Sequence, residues 1–107
     1  MARKKHLFDW TGFFTKRLIS ATVEDAAPTD VVLTFGPVLA VKAFARSVKT
    51  EFTLSGKTVD SIVLDYSAGT LTVVVTVAYT AGANFNLTFN PTQKGDTVVQ
   101  EITNNVA

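Results

Sequence analysis

The sequence contains no cysteine and a single histidine, His6. Without cysteine, the chain cannot form a disulfide, a thiolate metal site or a cysteine nucleophile. One histidine without clustered carboxylates cannot hold a transition metal within one chain. The six glycines are scattered among turns, so there is no glycine-rich phosphate loop, and the G-x-S-x-G motif of serine hydrolases is absent. We therefore predict that the protein is not an enzyme and binds no cofactor or metal.

Long apolar runs are missing as well. The valine run from Val73 ends at Thr76, and no stretch approaches the roughly 20 apolar residues that a membrane-spanning helix needs. The basic N-terminus could begin a signal peptide, but residues 9–12 interrupt the apolar region that such a peptide requires. Lys16 and Arg17 then follow where small residues would precede a cleavage site. We expect an unprocessed chain that is made in a cytoplasm and has no membrane partner.

The most regular feature of the sequence is alternation of apolar and polar residues. A chain of 107 residues with 47% hydrophobic and 18% charged residues is typical of one folded domain. Between Thr70 and Pro91, apolar residues alternate with polar ones on both sides of Ala81-Gly82, which predicts two strands joined as a hairpin. A lone hairpin is marginally stable in water, so a second apolar layer must cover it.

Other segments alternate in the same way. The rows expected to face the core are Ile19, Ala21 and Val23; Val31, Leu33 and Phe35; Ile62, Leu64 and Tyr66; and Val98, Gln100 and Ile102. Gln100 in the last row suggests either an edge position or a partly solvated end for this strand. Between residues 38 and 52, Phe44, Val48 and Phe52 recur every four positions, which favours one or two helical turns. About seven strands, with turns about every 8 to 12 residues, predict an all-β, immunoglobulin-like sandwich of antiparallel strands.

The first 18 residues differ from the rest in charge. Residues 2–18 carry five basic side chains and one acidic one, a net charge of +4, whereas the remaining chain carries five basic and eight acidic side chains, a net charge of −3. We therefore divide the chain into a basic, aromatic N-terminal docking arm, residues 1–18, and a β-sandwich domain, residues 19–107. The arm residues predicted to bind a partner are Arg3, Lys4, Lys5, Phe8, Trp10, Phe13, Phe14, Lys16 and Arg17.

Three roles remain open for the arm. Helical spacing would place Trp10, Phe13 and Phe14 on one face, although Thr11 and Gly12 are weak helix formers. The arm could fold back and cover an open end of the sandwich. Alternatively, its rings could insert into a protein partner while its basic ends meet acidic surface, because aromatic residues and Arg are common interface anchors. Contact with nucleic acid or an anionic membrane ranks third.

Two polar groups in the body allow a functional interpretation. Glu24, Asp25 and Asp30 flank one loop and could, with Asp65 or Asp96, bind calcium at one end of the sandwich. The spacing of a calcium-binding loop is missing, however, and a solvated loop is the simpler interpretation. A polar row on one predicted strand could bind carbohydrate, although a solvent-facing surface is again simpler. The members of this row are Asn84, Asn86, Thr88 and Asn90.

Four segments resemble strands of the bacterial Ig-like modules found in surface and phage proteins. They are residues 30–35 (DVVLTF), 52–56 (FTLSG), 71–75 (LTVVV) and 81–91 (AGANFNLTFNP), with Asn104 or Asn105 as the closing asparagine. The resemblance covers residues 20–107. The chain departs from the family by having residues 91–96 (PTQKGD) in place of a D-x-x-G-N loop, so no ligand role is carried over for that loop.

A single module of this kind with a docking arm is similar to the auxiliary, or decoration, proteins of tailed bacteriophage capsids. The resemblance implies a non-enzymatic structural protein of the virion, made in the host cytoplasm. Many copies would bind the major capsid protein or another virion structural protein through the arm. A carbohydrate- or cell-surface-binding module and a tail or baseplate accessory protein are the alternatives, and nucleic acid is not an expected partner.

Overall fold

The computed structural model describes residues 10–92 and 96–107, except the side chain of Trp10. A helix, α1 (Trp10–Arg17), runs directly into the first strand, and two short 3-10 helices, η1 (Val38–Phe44) and η2 (Lys49–Glu51), follow the second strand. The strands are β1 (Leu18–Glu24), β2 (Ala27–Phe35), β3 (Phe52–Leu54), β4 (Val59–Asp65), β5 (Thr70–Val75), β6 (Phe85–Phe89) and β7 (Val98–Asn105).

The strands form one seven-stranded mixed sheet in the order β3-β6-β7-β1-β2-β5-β4. The sheet curls until it is nearly barrel-shaped. Neighbouring strands run antiparallel except β1 and β7, which pair in parallel along Thr22↔Thr103 to Glu24↔Asn105. The all-β prediction is confirmed. The immunoglobulin-like sandwich is not confirmed, because the strands form one continuous sheet, and the expectation of antiparallel strands throughout is wrong for this central pair. No tight turn links β1 to β7, so their direction is not constrained by a hairpin.

Alternation within the strands selects the residues that enter the core. The buried rows of β1, β2 and β5 are Ala21 and Val23; Val31, Leu33 and Phe35; and Leu71, Val73 and Val75. Leu87, Phe89 and Ile102 contribute from β6 and β7. The predictions for these inward-facing residues are confirmed, because a period of two places every second side chain on one face of a pleated strand.

The predicted hairpin between Thr70 and Pro91 is not present. β5 pairs with β2 and β4, whereas β6 pairs with β3 and β7. Residues 76–84 therefore connect two strands that lie in different parts of the sheet. Alternation identifies the buried face of a strand but carries no information about which strand pairs with it. Gly82 lies inside the long loop between β5 and β6 rather than in a two-residue turn.

Ile19 does not face the core as predicted. The register of β1 against β2 shifts between Leu18↔Phe35 and Ser20↔Thr34, so Ile19 is an extra residue on its strand. A bulge of this kind turns a side chain out of the alternating row. The side chain of Ile19 is accordingly 68% exposed.

Two further expectations are corrected. Tyr66 follows the end of β4 and is 43% exposed, because it belongs to the turn before β5 rather than to the strand. Gln100 does not mark an edge strand, since β7 lies between β6 and β1 in the interior of the sheet. Gln100 pairs with Leu87 and is half-buried.

Candidate interaction surface

α1 covers one end of the sheet, which we call the helix end. Phe14 is fully buried there, with ring centroids 5.2 Å from Phe89, 5.5 Å from Phe35 and 6.3 Å from Phe44. Phe13 is half-buried, with its ring 5.8 Å from that of Phe44. The interpretation in which the arm folds back over an open end of the sheet therefore describes residues 10–17.

The position of Phe14 corrects its predicted role. A ring packed against three others in the core cannot contact a partner without leaving that core. The helix is also tied to the chain before β7, since the Thr11 hydroxyl accepts the Asp96 N–H at 2.6 Å and donates to the Asp96 carbonyl at 2.9 Å. Because β1 begins at Leu18 with no linker after α1, residues 10–17 share the core of the β domain.

The remaining arm residues are placed as follows. Lys16 and Arg17 are exposed in the last turn of α1, where positive charge interacts favourably with the carbonyl end of the helix dipole. The predictions for Arg3, Lys4, Lys5 and Phe8 lie outside the described residues, as does that for the side chain of Trp10. Partner binding by these side chains stays a prediction.

An apolar surface lies beside the C-terminal end of α1. We call it the helix-end patch, and its members are the exposed residues Ile19, Pro37, Val38, Leu39 and Tyr66. Val38, Leu39 and Ile19 are 43%, 65% and 68% exposed. Such a group is larger than the single exposed apolar residues that are ordinary on protein surfaces.

Close backbone approaches bring the members of the patch together. A Cβ atom at Gly36 would lie 2.5 Å from Cδ1 of Ile19, and one at Gly69 would lie 3.0 Å from Cα of Val38. Gly69 has a φ of +72°, which glycine adopts without strain and other residues rarely adopt. Arg17 borders the same surface, because its carbonyl accepts the Gly36 N–H at 2.8 Å.

Basic side chains surround the helix-end patch. Lys42 places its Nζ 6.0 Å from the ring centroid of Tyr66, and Lys16 and Arg17 lie on the adjoining helix turn. Asp65 and Asp96 are the acidic residues nearby, and Asp65 is engaged in its own turn. The Ser67 hydroxyl, the Ala68 N–H and the Ser67 N–H bond to its carboxylate and lower its pKa.

The opposite end of the sheet, which we call the turn end, is acidic. It carries Glu24 and Asp25 at the β1–β2 turn, both exposed, and Asp30 on β2. The C-terminal end of β7 lies beside them, because Asn105 Nδ2 donates to the Glu24 carboxylate at 2.8 Å. Asp60 lies near the start of β4, whose first residue Val59 pairs with the last residue of β5.

The loop of residues 76–84 also lies at the turn end. Asn104 holds it to β7 by donating from Nδ2 to the Thr80 carbonyl at 3.0 Å, and the Tyr79 N–H bonds to the Pro28 carbonyl at 2.8 Å. The loop contains no charged residue, and its residue Val77 is 64% exposed. The turn end thus combines uncharged surface with acidic side chains.

Lys57 is a basic residue beside this loop, and its ammonium group makes its contacts within the fold. Its Nζ donates to the carbonyls of Val77 and Ala78 at 3.1 and 3.0 Å and lies 4.6 Å from the centroid of the Tyr79 ring. The Tyr79 ring stacks on Phe85 at 4.1 Å. Burial raises the pKa of Tyr79 to about 12, and its hydroxyl has no hydrogen-bond partner among the described residues.

The acidic residues and the polar row singled out from the sequence also lie at the surface. Within residues 10–92 and 96–107, no three acidic or histidine side chains lie close enough together to hold a metal ion. In the polar row, Asn84 accepts the Asn104 N–H at 2.9 Å and Asn90 accepts the Thr97 hydroxyl at 3.0 Å. Both amide oxygens therefore serve the fold. None of the helices described is long and apolar enough to cross a membrane.

Sequence reasoning missed the helix-end patch because its residues come from three separate places in the chain. One local signal was present, in the run Val38-Leu39-Ala40-Val41. A tight helical turn cannot bury consecutive apolar residues on one side, so part of the run must face outward. Only Val41 of these four is buried.

No family model matches this chain, and neither a curated protein nor a solved structure is similar enough to it to count as a match.

Proposed function

We propose that this protein is a non-enzymatic structural component of a tailed phage virion, an auxiliary protein that attaches to the major capsid protein or to another virion protein. Attachment uses the basic N-terminal segment, with Arg3, Lys4, Lys5 and Phe8 joined by Lys16 and Arg17 at the surface of α1. Many copies on one particle add weak individual contacts through avidity. The resemblance of the strand motifs to phage Ig-like modules motivates the assignment to a virion. The arrangement of α1 supports the proposed mode of attachment.

The observation that carries the proposal is the anchoring of α1. Phe14 is buried in the core while Lys16 and Arg17 on the same helix are exposed. If residues 2–9 bind a partner, the packed helix α1 connects them directly to the folded body, without a linker. The +4 charge of residues 2–18 against the −3 charge of the rest favours an acidic partner surface, since opposite charge accelerates and orients association.

The test is deletion of residues 2–9. A deletion that extended to residue 18 would remove Phe14 and Leu18 from the core and would confuse unfolding with lost attachment. We expect the shortened chain to fold with wild-type stability and to lose occupancy on particles assembled without the auxiliary protein. Wild-type occupancy after the deletion would contradict the proposal.

Charge reversal gives a second variant with a matched control. Lys16→Glu with Arg17→Glu should lower occupancy, and the loss should be greater at low salt, because exposed charge pairs are screened as salt rises. Lys49→Glu reverses an exposed charge away from α1 and should leave occupancy unchanged. Retention of the isolated body on immobilised glycans would favour the carbohydrate-binding alternative instead.

A further inference from the structure

We infer that the two ends of the barrel are complementary and that copies of this chain associate end to end, with the helix end of one copy against the turn end of the next. The proposal concerns a second copy of this chain and does not depend on what residues 2–9 bind. It is based on the distribution of exposed apolar and charged residues at the two ends.

The helix end provides an apolar centre with a basic border. Ile19, Val38 and Leu39 are each between 43% and 68% exposed, and Lys16, Arg17 and Lys42 surround them. An apolar centre with a polar rim is the usual composition of a protein–protein contact. Two acidic residues of the described chain lie at this end. The carboxylate of Asp65 is satisfied by its own turn, and Asp96 is exposed beside Thr11 in the first turn of α1.

The turn end provides the opposite charge around an uncharged surface. Glu24 and Asp25 are exposed at the β1–β2 turn, beside the uncharged loop that carries Val77. Two basic side chains reach this end, and both donate to backbone carbonyls: Lys57 to those of Val77 and Ala78, and Lys49 to that of Asp60. The carboxylates of Glu24 and Asp25 accept the Asn105 amide and the Ala107 N–H at 2.8 and 3.0 Å. Both side chains are nevertheless exposed, so their negative charge can meet the basic side chains of the helix end.

The geometry favours a head-to-tail contact over a symmetric one. Strand β1 extends from Leu18 at the helix end to Glu24 at the turn end, and at about 3.3 Å per residue it separates the two surfaces by roughly 20 Å. Two helix ends facing each other would bring like charges together, and so would two turn ends. A contact between unlike ends leaves one free surface on each side, which builds a ring or an open row of subunits.

The experiment uses the full chain and two double variants. The helix-end variant, Leu39→Glu with Lys42→Glu, disrupts the apolar centre and the basic border. The turn-end variant, Glu24→Lys with Asp25→Lys, reverses the acidic border. All four side chains are exposed, so the fold is expected to tolerate the changes, which far-UV circular dichroism checks.

Sedimentation velocity at concentrations up to about 1 mM covers the range of weak association. We expect the wild type to form species larger than a dimer at low salt and to dissociate as salt rises. Each double variant should be monomeric alone. An equimolar mixture of the two should form a heterodimer and nothing larger, because one intact helix end then meets one intact turn end.

The matched control is Asn86→Glu with Glu101→Lys. The two residues are exposed and pair across β6 and β7, and Glu101 lies midway along β7 between the two ends, so this variant should associate like the wild type. A wild type that stays monomeric throughout would overturn the inference, and in that case the patch is covered by residues 2–9 or serves another protein. Variants that still associate alone, or a mixture that stays monomeric, would also overturn it. All variants keep residues 2–17, so this result is independent of the attachment test by deletion of residues 2–9.

Discussion

Replacing Phe14 with alanine should destabilise the whole domain, because the ring belongs to the core although it lies in the N-terminal segment. Phe14 is 0% exposed and packs against Phe35, Phe44 and Phe89. Truncating a fully buried phenylalanine to alanine costs about 3–5 kcal/mol, through lost apolar burial and the cavity that remains. Helix propensity acts in the opposite direction, since alanine is the better helix former, so a loss of stability can be assigned to packing.

The assay is urea unfolding followed by far-UV circular dichroism. Because natural domains are stable by only about 5–15 kcal/mol, the unfolding midpoint of Phe14→Ala should fall strongly, whereas Phe14→Leu should lose less. Lys16→Ala, on the same helix but exposed, should stay within about 0.5 kcal/mol of the wild type. If Phe14→Ala unfolded at the wild-type midpoint, Phe14 would not be part of the core and the first 18 residues would be a free arm.

The other two predictions concern polar groups in the core and in the loop at the turn end. Glu51 is 6% exposed and accepts hydrogen bonds from the Val48 N–H and from the N–H and hydroxyl of Thr92. Glu51→Ala should therefore cost about 1–3 kcal/mol in urea unfolding by removing three hydrogen bonds to a buried carboxylate, and Lys49→Ala serves as the exposed control. The pKa of Tyr79 is raised from 10.0 to about 12 by burial, so its contribution to stability is fully present below pH 10 and is lost as pH rises towards 12. Unfolding midpoints measured across that interval should fall more steeply in the wild type than in Tyr79→Phe, and equal slopes would contradict the assignment.

Local features of the fold could be predicted from the sequence where burial alone decides the structure. Val31, Leu33 and Phe35 alternate and are buried, and the end of their strand at Gly36 follows from the Gly-Pro pair. Ile19 continues such a row in the sequence yet is exposed, because one extra residue in β1 shifts its register. Nothing in the sequence near Ile19 distinguishes a bulge from a continuous strand.

Long-range pairing could not be predicted in the same way. The segments that became β5 and β6 are separated by a plausible turn, yet each strand pairs with others, such as β2 for β5 and β7 for β6. The choice is decided by the packing of the whole core, including Phe14 and Phe44, which fill the helix end. The helix-end patch is harder still to predict from the sequence, since Ile19, Leu39 and Tyr66 become neighbours only after that packing is complete.

The position of α1 explains why a segment with the composition of a docking arm is also part of the core. The sheet has two unpaired edges, β3 and β4, and its halves meet at the parallel pair of β1 and β7. Phe14 contacts Phe35 of β2 in one half and Phe89 of β6 in the other. The helix therefore joins the two halves across the interior, in addition to their hydrogen bonds at the central pair. An apolar ring at this position stabilises the curled sheet, while the exposed Lys16 and Arg17 of the same helix remain available to a partner. One eight-residue helix can thus close the core and present charge, because its two faces have different neighbours.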